Sequence, residues 1–449
     1  MSKTIIIIGA GLAGLSAALQ AAENGCNVKL VSSLPSERAQ SVMAEGGINA
    51  ALNTKDENDS PEEHFTDTIK AACGLADPNA VWGMTQAAPE LVHWLLKLGV
   101  KFNMSGYDDV DLRNFGGQKK KRTAFAQSDT GKQIMTAMID AVRRKEASGM
   151  VERFSHHSFL TLRLCGNICC GCVIRDEYSQ EIVELPGNAV IVASGGMHGL
   201  FGNTTGSLSN TGEVTAELFR LGVPLVNGEM IQYHPTTVEC GGKRMLISEA
   251  ARGEGGRLFA LRNNQPWYFM EEKYPELGNL MPRDITAREI WKVSHESEVF
   301  LDMTEISKEV ISNKLSGLAD DCMTYLHKDI RKEPVPVLPG IHYFMGGILV
   351  DEQHRTSIQN LYAAGECCAQ YHGANRLGGN SLLGALYGGR VAAKSACEQA
   401  DGVVLSCATQ IDIPPASQIS EIKQLNKVMQ ETMGVVRNEN TLLNGIQTV

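Results

Sequence analysis

Ile5–Ile8 form an unbroken β-branched, apolar run near the start of the chain. A short run of this kind predicts a strand buried on both faces of a parallel sheet. It ends at Gly9-x-Gly11-x-x-Gly14, after which residues 12–22 carry Leu, Ala and Gln at helical spacing. Strand, glycine turn and helix together are the context in which this spacing predicts a dinucleotide site. Gly9 permits the turn, Gly11 (with Ala10 beside it) lets a pyrophosphate approach the backbone, and Gly14 lets helix pack on strand. The anion would rest on the helix N-terminus. The competing reading is a tight strand-to-helix turn without a ligand. The second strand, 27–31, leads into Ser32 and Ser33 where a ribose-binding acid is expected roughly 20 residues on. A serine hydroxyl can bond a ribose, but less strongly.

Further along, Met43-Ala44-Glu45-Gly46-Gly47 sets a glycine pair among small residues, suited to backbone lying against a flat ligand. Helices are predicted over 61–73 and 79–98, the second stopped by Gly99, and over 131–145. Alternation over 159–174 and 181–185 predicts strands around polar turns. Ala189 to Val192 is a second buried strand, ending at Ala193-Ser194-Gly195-Gly196 and predicted to rejoin the first sheet. Residues 211–221 read as a helix ending at Gly222. From Pro224 the texture changes, and 232–236 reads as a polar loop. Ser248-Glu249-Ala250-Ala251-Arg252 packs charge among small residues, and Pro282-Arg283-Asp284 opens a helix. Strands are expected at 344–350 and 361–365, the latter followed by Glu366. Gly373-Ala374-Asn375-Arg376 precedes Ser381 and Leu382, which begin a small-residue helix through Ala400. That helix N-terminus would favour negative charge on a bound cofactor.

The expected organisation is α/β. A Rossmann-like dinucleotide-binding domain (1–222 and 344–405) is interrupted by an inserted domain (223–343), and a helical tail starts near 415. A net charge of −10 argues against a nucleic-acid partner. The run Lys119-Lys120-Lys121-Arg122 reads as a solvated loop. Twelve cysteines without a signal-peptide pattern suggest reduced thiols and a cytoplasmic chain. Cys165, Cys169, Cys170 and Cys172 fall on one hairpin, where alternate positions face opposite sides, so no metal site is expected. No apolar run reaches the roughly 18 residues of a membrane span.

Taken together and in order, these motifs resemble the flavoprotein subunit of fumarate reductase and succinate dehydrogenase, with L-aspartate oxidase a close cousin. The resemblance runs from residue 4 to about 438. It implies a Rossmann-like FAD-binding domain interrupted by an α+β capping domain, with a short C-terminal helical tail. It implies FAD on Gly9, Ala10, Gly11, Gly14, Ser32, Ser33, Gln40, Ser41, Gly46, Gly47, Ala193, Ser194, Gly195, Glu366, Arg376, Ser381 and Leu382. It implies a small dicarboxylate held by His234, Ser248, His342 and Arg376, with Phe115 nearby. Arg283 matches the family's general acid, and Glu249 with Arg252 its proton relay. It also implies an electron-transfer partner, such as an iron–sulfur subunit, through which the protein could be peripheral to a membrane. An FAD-binding electron-transfer subunit without its own catalysis is the reading from another class.

The sequence departs from the family pattern in three places. The respiratory members usually carry a flavin-linking histidine within Arg-Ser-His-Thr-Val. Here Arg38-Ala39-Gln40-Ser41-Val42 puts an amide there, so non-covalent FAD and a bias towards fumarate reduction are expected. Aspartate oxidase keeps an acid ahead of its Gly-Gly for the substrate amine. Here Phe115 precedes Gly116-Gly117, which favours an uncharged C2 such as that of fumarate. Finally, the chain ends where family members usually continue into a helical bundle, so a short or truncated C-terminal region is expected, with docking of an iron–sulfur partner in question.

Overall fold

The computed structural model describes residues 2–106, 109–400, 413 and 419–448. Its central sheet has five parallel strands, in the spatial order Leu361–Ala363, Ala189–Val192, Thr4–Ile8, Asn27–Ser32 and Val151–Ser155. The isoleucine run lies in the middle, with Ile5 opposite both Ala189 and Val28. Its side chains divide between two cores. Ile5 and Ile7 join a cluster with Leu12, Leu15 and Leu19 of the first helix, while Ile6 and Ile8 join one with Val190, Val192 and Leu361. All four are at most 4% exposed, and burying each contributes about 2 kcal/mol.

The first face is covered by helices Leu12–Glu23, Pro78–Leu98, Thr130–Ala147 and Asn380–Gln399. The second is covered by the antiparallel strands His157–Cys165, Ile168–Asp176 and Ile182–Pro186. Gly99 ends its helix with φ +100°, as the sequence predicts. No group of cysteines, histidines or acids among the described residues could hold a metal. Ten described cysteines are free, but Cys165 is disulfide-bonded, contrary to the expectation of reduced thiols.

A separate core gathers residues between Ile247 and Val337, joined by Phe115 from earlier in the chain. It fills the space between an antiparallel sheet (Gln265–Trp267, Arg257–Arg262, Val299–Asp302, Val335–Pro336) and helices Arg283–Ser294, Lys308–Lys314 and Ser316–Leu326. A third sheet pairs Ile231–Cys240 with Lys243–Leu246 and Leu338–Phe344.

Several local readings are corrected. Residues 232–236 are strand, not loop; the pairing slips between His234 and Thr237, so the Pro235 region escapes the ladder. Residues 344–350 are not one strand: Leu338–Phe344 ends there, and Gly347–Leu349 pairs in a different sheet. Arg122 is not solvated. It is fully buried, bonded to Asp59 through Nε (3.2 Å) and Nη2 (2.9 Å), with Asp67 at 3.0 Å.

The tail forms helices Ile419–Thr432 and Glu439–Thr448. Asn426 Nδ2 donates to Gly199 O at 2.6 Å, and Tyr233 Oη to Met433 O at 2.6 Å, which moors the tail to the body. The expected junction at 405–415, Ile413 apart, lies outside the described residues. Among the described residues no helix is long and apolar enough to cross a membrane.

Candidate active site

At the glycine turn, two of the three glycines are required by the chain's own packing. A Cβ on Gly9 (φ +112°) would lie 2.2 Å from Ala193 O, and one on Gly14 would lie 1.8 Å from Gly9 O. Gly11 is different. A Cβ there would meet nothing closer than Ser41 Oγ at 3.6 Å, so glycine at this position leaves the backbone open to a ligand rather than relieving a clash. The helix it caps has no side-chain cap; Leu12 N donates to Ser41 Oγ at 3.3 Å. Ser32, ending the second strand, is 8% exposed, and its hydroxyl has no partner. A buried hydroxyl left unmade is costly, and a ribose hydroxyl would satisfy it. The uncrowded Gly11 and the orphaned Ser32 both fit an adenine dinucleotide.

One cleft runs from this turn to the second core. It is lined by every sequence-predicted cofactor residue except Gly14, which stays behind the turn. Glu366 Oε1 accepts from Phe344 N at 3.0 Å and lies 3.1 Å from His198 Nε2, while His198 Nδ1 lies 2.7 Å from Thr204 Oγ1. Ser381 and Leu382 lie in the first turn of Asn380–Gln399, behind Gly379 with φ +87°. That turn is fixed by a buried amide network. Asn49 Nδ2 donates to Gly378 O (2.8 Å) and Asn380 Oδ1 (2.7 Å), and His64 Nε2 lies 2.9 Å from the same Oδ1.

At the far end Arg283 opens its helix and turns inward. Its Nη1 donates to Gln232 Oε1 at 3.0 Å, and its Nε and Nη2 donate to Glu249. Arg283 is 6% exposed, and its neighbour Asp284 bonds Arg288 and Asn375. Glu249 begins a short helix capped by Ser248, whose Oγ accepts from Ala250 N at 3.4 Å. Arg252, one turn on, has Nη2 at 3.4 Å from Glu249 Oε1, an ion-pair distance without hydrogen-bond alignment. Arg376 lies 4.3 Å over the Tyr343 ring, and its Nε has no partner. His342 Nδ1 is 2.7 Å from Thr205 Oγ1, and the His342 and His234 rings are 5.1 Å apart. Arg283, Glu249, Ser248, His342, Arg376 and Phe115 all line the cleft; His234 and Arg252 stand behind it.

The electrostatics follow from dryness and crowding. Burial would raise the Glu249 carboxyl, but the guanidiniums of Arg283 and Arg252 outweigh it and hold it below the ordinary carboxylate range. Burial, with Arg283 nearby, brings Arg376 down to about 9. Burial and the same cation keep His234 and His342 well below the usual imidazole value, so both are neutral at pH 7. His234 Nδ1 lies 3.1 Å from Thr236 O and 3.3 Å from Thr236 N, which fixes the plane of its ring.

With this geometry the comparisons with known proteins agree. Residues 4–382 match the FAD binding domain family. The succinate dehydrogenase flavoprotein subunit of Bacillus subtilis is 43% identical over 410 residues, covering 89% of this chain and 70% of that protein. The chain belongs to the succinate dehydrogenase and fumarate reductase flavoprotein family. Another member, the 8-methylmenaquinol:fumarate reductase flavoprotein subunit of Wolinella succinogenes, is 33% identical, covering 98% of this chain and 76% of its own. The structure of a glutamate-to-glutamine variant of the E. coli quinol fumarate reductase flavoprotein superposes with a TM-score of 0.90 at 27% identity, covering all of this chain and 81% of that one.

Some site residues of this family member escape sequence reasoning. Gln232 joins the two arginines: besides Arg283 it reaches Arg376 O, to which its Nε2 donates at 2.7 Å. The only sequence signal was its place beside His234, within a segment read as loop. Tyr343, Thr205 and the Gly116 amide, which donates to Glu249 Oε1 at 2.9 Å, gave no signal, because their roles depend on contacts between segments far apart in sequence.

Proposed function

We propose that this flavoprotein reduces fumarate, or a close unsaturated dicarboxylate, with Arg283 as the proton donor. The observation that carries the proposal is the opening of Arg283, Arg376, His342 and Ser248 onto the same cleft as the Gly46–Gly47 loop. FAD would be held by the Gly11 turn, Ser32, Gln40, Ser41, Glu366 and the first turn at Ser381 and Leu382, and when bound it supplies the hydride. Residues 223–343 would act as the cap over it.

Arg376 binds one carboxylate of the substrate in the two-pronged manner that a guanidinium allows. His342 and Ser248 offer imidazole and hydroxyl hydrogen bonds to the carboxylates, and His234 supports His342 from behind. As negative charge develops on the polarised substrate, the neighbouring guanidiniums stabilise it. Arg283 gives a proton to the carbon that receives no hydride. Free guanidinium groups hold their protons to above pH ~12, so the donor must be reprotonated at once. Glu249, bonded to Arg283 and adjacent to Arg252, is the group placed to do that. Phe115 leaves no acid to receive a substrate amine, which favours an uncharged C2. Gln40 cannot make the histidyl link, so the flavin is proposed to be non-covalent. Electrons are proposed to arrive from a separate protein such as an iron–sulfur subunit.

The deciding experiment reduces the bound flavin without oxygen and adds fumarate. Rapid reoxidation that Arg283→Ala abolishes, with flavin content unchanged, is the expected result. Reoxidation by oxygen only after reduction with L-aspartate would move the assignment to aspartate oxidation. Failure with both would leave a flavin-binding electron-transfer subunit.

A further inference from the structure

The helices Leu12–Glu23 and Asn380–Gln399 both begin at the cofactor cleft, where Leu12 and Leu382 line it. They pack closely. Ser16 Oγ donates to Leu386 O at 2.7 Å, and a Cβ on Gly389 would lie 2.3 Å from Ala13 O. Beyond the first helix lies Cys26; in the last turn of the second lies Cys397. Their Sγ atoms are 3.0 Å apart. This is the one thiol–thiol hydrogen bond among the described residues; the thiols of Cys169, Cys170, Cys367 and Cys368 reach carbonyl oxygens instead. Cys26 is 5% exposed, whereas Cys397 is partly exposed and lines a second cavity of about 650 Å3 beside Asn24, Arg390, Lys394 and Glu398.

We propose that Cys26 and Cys397 are a thiol-oxidation site, closed to a reversible disulfide by a low-molecular-weight disulfide that enters through this cavity. A disulfide bond is about 2.05 Å long, so closure needs the two sulfurs to approach by only about 1 Å. Cys397 is the one of the pair that lines the cavity, which makes it the first nucleophile. The Cys397 thiolate attacks one sulfur of the small disulfide, releasing one small thiol and leaving a mixed disulfide. Cys26 then attacks Cys397 Sγ, forming the Sγ–Sγ bond and releasing the second small thiol. Two protein thiols are oxidised, one small disulfide is reduced to two thiols, and the two thiol protons are accounted for on those products. Burial and the adjacent Cys26 hold the Cys397 thiol above its ordinary range, opposed by Asn24 and Lys3, so the attack is slow and quickens as the pH is raised. The product would tie together the distal ends of the two helices whose first turns line the cleft.

The test incubates the reduced, flavin-loaded full chain with oxidised glutathione, alkylates the remaining thiols and digests without reduction. A peptide pair linking Cys26 to Cys397, two fewer alkylated thiols at those positions, and full reversal by dithiothreitol are expected. Cys26→Ser should trap a stable glutathione adduct on Cys397, and Cys397→Ser should leave Cys26 fully alkylated. Exposed Cys73, whose thiol faces only backbone carbonyls, reports that the reagent is active. Full alkylation of both thiols in the parent chain, or a glutathione adduct on Cys397 that never closes, would overturn the proposal. The readout is a mass, so it stands or falls apart from the dicarboxylate reaction.

Discussion

Arg283 donates from both Nε and Nη2 to one and the same oxygen of Glu249, at 2.8 and 2.6 Å, while the other oxygen accepts the Gly116 amide at 2.9 Å. The carboxylate is thereby held from both sides and is 2% exposed. Glu249→Gln keeps the shape and removes the charge. Reoxidation of the reduced flavin by fumarate is expected to fall by about 100-fold or more in single-turnover mixing, with flavin content unchanged. The buried Arg283 cation is also left without its counter-ion, which costs about 3 kcal/mol in a urea titration. A variant that is destabilised yet reacts at the parent rate would make the pair purely structural.

Acid should weaken this protein earlier than its carboxylates alone would dictate. Burial holds His354 down to about 4 and His64 to about 3, and both are fully buried. The folded chain keeps these rings neutral, while the unfolded chain takes up protons near pH 6.5. Their contribution is therefore complete above about pH 6.5 and is lost as pH falls from there towards the folded values, at about 1.4 kcal/mol per pH unit for each ring. Denaturation midpoints measured between about pH 7 and pH 5 should fall steadily, and His64→Gln should remove one ring's share of the slope. A flat profile would mean that the folded chain protonates these rings without penalty.

Gln40 lines the cofactor cleft but offers no ring nitrogen for a bond to carbon. Acid precipitation of the yellow protein should send all of the flavin into the supernatant. Colour retained in the washed pellet would refute the non-covalent assignment.

Phe115 is 1% exposed, and its environment limits what can replace it. A Cβ on Gly378 would fall 2.6 Å from its ring and 2.9 Å from Glu249 Oε2, so position 115 borders the Glu249 carboxylate. A second acid there would meet a like charge in a dry site, and its pKa would rise. Phe115→Glu should lose fumarate reduction by about tenfold or more. It should gain only slow L-aspartate oxidation, increasing with pH, as followed by oxygen uptake. Ready aspartate oxidation by the unmodified chain would contradict the dicarboxylate assignment.

The parts of the fold that were legible in the sequence are those fixed by local chemistry. Ile5–Ile8 could only be a doubly buried strand, Gly9 and Gly14 could only be a close strand-to-helix packing, and Gly99 stops its helix where expected. What escaped depends on partners far away in the chain. Arg122 reads as one more solvated lysine-like charge until Asp59 and Asp67 close on it from a different segment. Gln232 reads as a loop residue until pairing with Leu338–Phe344 makes its segment a strand, and the strand carries its amide to both Arg283 and Arg376. Proline and polar residues favour a loop locally; here the tertiary ladder prevails, with a slip in register where Pro235 cannot donate.

Three buried guanidiniums, those of Arg252, Arg283 and Arg376, gather around the single buried carboxylate of Glu249. The histidines beside them are neutral. Glu366, in the lining of the same cleft, also acts on Arg376, yet the cations still outnumber the carboxylates, and the donors left unmade belong to the same arginines: Nε of Arg376, and Nε and Nη2 of Arg252. An anionic substrate would compensate that surplus in a medium that screens it poorly. Under the proposed function the substrate would thus stand in for a missing counter-ion, recognised by its charge before its shape.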